Sequence, residues 1–269
     1  MLFGLLALAV IAIAVPFLFS RQFVAKIEAW RRIVIAAQTS APPEQNTIPE
    51  IMRAFALRNG ATVGGPATVL THQRDEMTTG PGQAFFTLQA TQLSGTRKPG
   101  FVWEATATMA RVLPFRVVDA LVADDGRLEV RVAGAIPMVN ASGPDSDKGE
   151  MMRFLSELAW NPDAILNAAA LKWRQIDTRT VEVSMETSGG IAVVRQLFDA
   201  DGDIVGIEAD DRPYLLDGKT VPMRWVGRFR DYAQFGGYRV PRYGEVAWAL
   251  PEGEFVYFRG TITSFVAIE

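Results

Sequence analysis

From residue 83 onward the chain alternates apolar and polar positions with the period of a pleated strand. In residues 101–109, Phe101, Trp103, Ala105, Ala107 and Met109 share one face, while Glu104, Thr106 and Thr108 share the other. That is the pattern of a half-buried strand. Residues 127–133 and 181–187 alternate in the same way. Between such runs stand Asp124-Asp125-Gly126, Ser188-Gly189-Gly190, Asp201-Gly202, Asp217-Gly218 and Gly236-Gly237, residues that tolerate positive φ and mark hairpin turns. No strong helical pattern alternates with the strands, which argues against βαβ winding. The turn spacing predicts an antiparallel meander of about nine to eleven strands. A flat sheet of that width exposes an apolar face and open edges, so it should curl.

The period changes in two places. Over residues 147–160, Met151, Met152, Leu155, Leu158 and Ala159 fall on one helical face with Phe154 beside it, and Asn161-Pro162 ends the helix. A second short helix over 162–170 starts at once, with Asn161 at its N-cap and Pro162 in its first turn. This insert, residues 147–170, is expected to cover the concave face of the curved sheet. Near the start, seventeen of the first nineteen residues are apolar and no charge precedes Arg21. As a helix this run is about 28 Å long, enough to span a bilayer. It lacks the basic start of a cleaved signal and reads as an uncleaved single-pass anchor over residues 1–20, in the inner membrane. Phe23, Val24, Ile27, Trp30 and Val34 then form one helical stripe. Such a stripe lies along the membrane interface, with Trp30 and the basic residues in the headgroup layer, or packs on the body. The Pro-Pro pair in residues 38–46 marks a linker, so that 21–46 form a juxtamembrane helix and linker and 47–269 the sheet domain. Thr47-Ile48-Pro49-Glu50 reads as a capping box for a helix over about 49–58, stopped by Asn59-Gly60. The fold class is therefore mainly β (α+β): a large curved antiparallel sheet or half-barrel with a helical insert, behind an N-terminal transmembrane helix.

Composition narrows the chemistry. The chain of 269 residues has no cysteine and one histidine, which excludes thiolate metal sites, disulfides and multi-histidine centres. Its net charge of -3 offers no field for a phosphate backbone, so no nucleic-acid partner is expected. Residues 1–40 carry +3 and the remainder -6. By the positive-inside bias this puts the body in the cytoplasm.

Residues 100–105 with Trp103, 147–162 ending on Asn161-Pro162, 198–203 with Asp199, Asp201 and Asp203, and 244–248 ending on Trp248 together resemble a family of bacterial and archaeal membrane-anchored proteins known only as a domain of unknown function. The similarity spans about residues 45–262. The second half also resembles the curved sheet of outer-membrane lipoprotein carriers. That likeness implies acyl chains held between sheet and helices, outside the inner membrane, opposite to the side that the charge bias gives.

Candidate chemistry is sparse. His72, with Asp75 or Glu76, could form a base; an exposed loop histidine is the plainer reading. Asp199, Asp201 and Asp203 lack the flanking helices and the twelfth-position glutamate of a calcium loop and read as a turn; no metal and no cofactor is expected. Glu104, Asp119, Glu157 and Glu245 are acids in ordered elements, expected to pair with arginine. Arg224, Arg228 and Arg230 form a basic stripe, a place for an anionic headgroup unless cross-strand acids such as Glu245, Glu252 or Glu254 take it up. Trp103, Met151, Phe154, Leu155, Leu158, Trp160, Trp173, Trp225, Phe229 and Trp248 are the candidates for lining an internal apolar slot, and Phe258 belongs with them. The function this suggests is a non-enzymatic, monomeric, membrane-tethered module binding a membrane lipid or other hydrophobic ligand. Two alternatives stand beside it: a hydrolase using paired acids or His72, and an envelope scaffold that binds protein. An enclosed void of roughly 300 Å³ or more would favour binding.

Overall fold

In the computed structural model the described residues are 2–39, 48–109 and 113–269, with side chains described for 18–39, 48–108 and 114–269. Helix α1 runs Leu2–Ala36 and α2 Glu50–Arg58. Six strands follow: β1 Thr68–Met77, β2 Phe86–Gly95, β3 Phe101–Met109, β4 Leu113–Val122, β5 Asp125–Val132 and β6 Ile136–Ser142. Next come α3 Pro144–Ser156, a 3-10 turn Glu157–Trp160 and α4 Pro162–Asn167. The last seven strands are β7 Lys172–Asp177, β8 Thr180–Thr187, β9 Gly190–Phe198, β10 Ile204–Leu216, β11 Lys219–Phe235, β12 Tyr238–Leu250 and β13 Gly253–Ile268.

All thirteen strands form one sheet in the order β6-β5-β4-β3-β2-β1-β13-β12-β11-β10-β9-β8-β7. The ladders are antiparallel throughout. The meander is thus wider than the spacing of turns suggests. Residues 68–77 are one reason: the sequence leaves them polar and unassigned, yet they form β1, next to the sheet's centre. Its inward positions Thr71, Gln73 and Asp75 are buried although polar, so the alternation is present without its hydrophobic signal.

The sheet curls strongly. From β5 to β9 lie ten strands, about 43 Å across if flat. Even so, α3 reaches both sides. Asp147 in its first turn accepts the Gly126 N–H from the β4–β5 hairpin at 2.7 Å and the Ser188 hydroxyl from the β8–β9 hairpin. Two glycines allow this approach: a β-carbon at Gly126 would lie 2.2 Å from the Ser146 carbonyl oxygen, and one at Gly189 2.1 Å from that of Pro144. The insert is therefore tied across the concave face, as the sequence predicts. It begins at Pro144, and its last turn tightens to 3-10 before Asn161. Asn161 occupies the N-cap position of α4, but its side chain donates to the Gly95 carbonyl instead. Helix α2 starts at Glu50 with Pro49 as its cap residue, two positions after the expected box; Thr47 and most of the linker lie outside the described residues.

Beneath these helices sits the main core, with Met52, Phe55, Met152, Leu155, Leu158 and Ile165 packed on the inward side chains of the sheet. A second core lies on the convex face. There Phe23, Ile27 and Val34 of α1 pack on Leu93, Val102, Val118, Ala120 and Val122. Of the two readings of that stripe, the body is what it packs on. Two of its basic residues are spent in the same contact: Lys26 pairs with the buried Glu129, and Arg31 donates to Glu104 at 2.7 Å. Among the described residues no helix is long and apolar enough to cross a membrane. The side chains of residues 1–17, which make up most of the apolar run, lie outside the described residues.

Candidate functional site

A cavity of about 210 Å³ lies between α3 and the sheet. Its apolar wall comes from both halves of the meander: Met77, Trp103, Val117 and Leu128 on one side, Trp225, Phe229, Val246, Tyr257 and Phe258 on the other, with Trp160 from the insert. The rings brace one another. Trp160 packs edge-on against Phe229 at 5.2 Å and donates its indole N–H to the Pro241 carbonyl at 2.6 Å. Gly244 leaves room for that indole, since a β-carbon there would come within 2.6 Å of the ring. Trp103 meets Phe258 edge-on at 6.2 Å and donates to Gln73 at 3.1 Å. Such fixed, hydrogen-bonded rings suit an apolar wall that keeps its shape.

Charged groups close the cavity on the α3 side. Arg153 donates to Glu157 at 2.9 Å, to Gln92 at 3.1 Å and to Asp119, and lies over the rings of Phe101 and Trp103. Its side chain and those of Asp119 and Glu157 are only 13–15% exposed. The carboxylates hold its guanidinium well above the usual arginine range, fully charged. Beside them, burial and the neighbouring Asp119 push Glu150 well above the ordinary glutamate range. Asp75, fully buried on the inward face of β1, is pushed up to about 7 by burial, partly offset by Arg153 and by the N–H groups of Trp103 and Thr261. Arg212 of β10 completes the charged wall.

Of the residues read from the sequence as slot-lining, Trp103, Trp160, Trp225 and Phe229 line the cavity. Met151, Leu155 and Leu158 are buried in the solid core, Phe154 lines a small neighbouring crevice, and Trp173 stands on the edge strand β7. Trp248 backs the wall, 6.5 Å from Trp225 and stacked on Tyr257. Arg224, Arg228 and Arg230 lie on the outer face, each more than 49% exposed or at that value, and each has an acidic partner: Glu208, Glu245 with Glu254, and Asp231. They do not line the cavity. The cross-strand pairs with Glu245 and Glu254 are those the sequence offers as the structural alternative. Asp119, Glu157 and Glu104 are bound to arginine as expected. His72 is exposed on the convex side, with the inward-facing Asp75 on the other side of the sheet. Asp203 pairs with Arg58 and Arg239, and Asp199 accepts the N–H groups of Asp201 and Asp203, which makes that segment a hairpin turn.

Sequence reasoning misses Glu150, Arg153 and Arg212 as cavity groups, and Asp75 as a buried acid of β1. The helical period does place Glu150, Arg153 and Glu157 together along α3, the one signal available; Arg212 is turned inward by a register shift that no periodicity reveals.

A family of unknown function, DUF6544, matches residues 38–260. No curated protein matches the sequence. Among solved structures, a LolA-superfamily protein from Nitrosomonas europaea is similar at 13% identity and a TM-score of 0.41, over 84% of this chain and 94% of that one. A domain from Vibrio parahaemolyticus described as a putative outer-membrane lipoprotein-sorting protein has 12% identity and a TM-score of 0.44, over 81% and 91%. A DUF1329 protein from Desulfovibrio piger has 11% identity and a TM-score of 0.44, over 83% and 94%.

Proposed function

The chain belongs to the DUF6544 family, a family of unknown function, and we propose for it a non-enzymatic role as a membrane-tethered module that holds an apolar or amphiphilic ligand, such as a lipid, between sheet and helices. The observation that carries this reading is the aromatic cavity under α3, walled by both halves of the sheet. At about 210 Å³ it falls below the roughly 300 Å³ at which whole small-molecule pockets begin. It therefore suits one narrow apolar chain better than a bulky ligand. The tether rests on the sequence alone, on the apolar run of residues 1–19.

The test uses the full chain in detergent with an alkyl probe carrying a photoactivatable group. The probe is expected to crosslink to peptides containing Trp103, Leu128 or Trp225. Leu128→Trp, which fills the half-buried cavity wall, should cut that crosslinking at least tenfold while the protein stays folded. Crosslinking spread evenly over the surface, or unaffected by the substitution, would remove the basis for a ligand inside.

One observation favours a second reading, a hydrolase working through paired acids: Asp119 and Glu150 meet on the cavity wall. It predicts turnover of an acyl ester by the full chain and loss of at least 100-fold of that turnover in Glu150→Gln. Ester probes that stay intact, or are cleaved equally by the variant, dispose of it.

A further inference from the structure

Arg212 reaches the cavity only because β10 breaks its register. Ala209 faces Trp225 and Arg212 faces Met223, so Asp210 and Asp211 together stand opposite the single Arg224. Counted strictly from the buried Ala209, alternation would send Arg212 outward. The extra residue reverses it, and a bulge of this kind gives up regular pairing to re-aim a side chain. The re-aimed side chain is 10% exposed, its guanidinium lies 4.2 Å from the ring centre of Trp225 and 5.9 Å from that of Trp248, and it lines the cavity.

What it lacks is an anion. Its Nη1 is buried with no hydrogen-bond partner among the described residues. The one carboxylate paired with it there, Glu150, stands at 3.9 Å, against about 2.8 Å for a charge-assisted hydrogen bond. Burial and the nearby Asp119 disfavour the charged form of Glu150, and Asp119 itself is bound to Arg153. Arg212 is thus a cation held in an aromatic wall, with a free donor and no carboxylate at hydrogen-bonding distance. A buried charge in that state calls for a counter-charge with hydrogen-bonding oxygens.

We propose that Arg212 receives the anionic head of a single-chain amphiphile, a carboxylate or an alkyl phosphate, whose tail lies along Trp225, Phe229 and Phe258. The guanidinium fork matches two oxygens of either head, which a lysine ammonium does not. This inference rests on the ligand-holding role above and adds the polarity of the ligand and its orientation.

Competition against the crosslinking probe at pH 8 tests it, with laurate, dodecyl phosphate, dodecanol and dodecylammonium on the full chain. Laurate or dodecyl phosphate should compete at concentrations at least tenfold lower than dodecanol, and the better of the two identifies the head. In Arg212→Met, which keeps an apolar stem against Trp225, the acids should fall to the level of dodecanol while dodecanol itself is unchanged. Arg212→Lys should fall between. If dodecanol equals both acids, or dodecylammonium competes best, the anionic-head inference is overturned while the ligand-holding role stands. If nothing competes, both fall. The ranking on the unmodified protein decides the matter even where a variant fails to fold.

Discussion

Arg153→Met is expected to destabilise the protein by about 3 kcal/mol, the cost of leaving the carboxylates of a buried ion pair uncompensated. Asp119 and Glu157 both depend on that guanidinium, and Gln92 accepts from it as well. The methionine retains much of the apolar contact with Phe101 and Trp103, so the loss reports on charge rather than on packing. Urea unfolding at pH 7 measures it. Adding Asp119→Asn and Glu157→Gln to the variant should recover a large part of the loss, because the orphaned charges are then gone. A loss under about 1 kcal/mol would mean that the two carboxylates do not need the arginine, as at a surface pair.

The second expectation concerns pH. Asp75 holds its proton in the folded protein up to about pH 7, whereas in the unfolded chain it gives it up near 3.9. Between those values folding takes up a proton, so stability falls as pH rises, by as much as ~1.4 kcal/mol per pH unit, and levels off above about 7. Glu150, raised in the same sense, adds to the slope. Asp203 and Asp210 are lowered by their arginines, so what they contribute is lost only in more acidic solution and does not offset the fall. The groups facing Asp75 are Arg153 and Glu157 from the insert side and the N–H groups of Trp103 and Thr261 from the sheet. Melting temperatures from pH 5 to 8 should therefore decline and then flatten. Asp75→Asn should remove most of the decline and adding Glu150→Gln should remove more, while Asp163, raised by burial as well, keeps a residual slope. A profile that is flat or rising between pH 5 and 7 would show that Asp75 is ionised in the fold.

Much of this architecture is legible in the residues. The strands around Trp103 and Val183 alternate with apolar inward faces, and the chain turns beside Asp124-Asp125-Gly126, at Ala123 and Asp124, which take positive φ, while Asp125 and Gly126 open β5. The helical pair after residue 144 carries its apolar face toward the sheet. What escapes the pattern escapes for physical reasons. Between Val69 and Met77 the inward face of β1 is Thr71, Gln73 and Asp75, a polar stripe in which Gln73 bonds Thr71 and Trp103, so hydrophobic period carries no signal there. Arg212 is hidden by a bulge, which shifts parity without altering composition. The stripe Phe23, Ile27 and Val34 is plain to see, but its partner is not, because Val102, Val118 and Ala120 read as alternate positions in strands assumed to face solvent on that side. The cavity's aromatic lining could be drawn from the sequence as a list, yet which rings stop short of filling the space is settled only by their packing.

The pairing of Thr68 with Ile268 has a consequence for synthesis. The first of these strands to leave the ribosome finds its neighbour in the last of them, so the two meanders cannot be joined until β13 has been made. Until then β1 offers half of its backbone groups to any passing strand, and the join itself is a contact across some two hundred residues, the kind that forms late and slowly. A chain stopped just before Gly253 would leave both halves without their common seam.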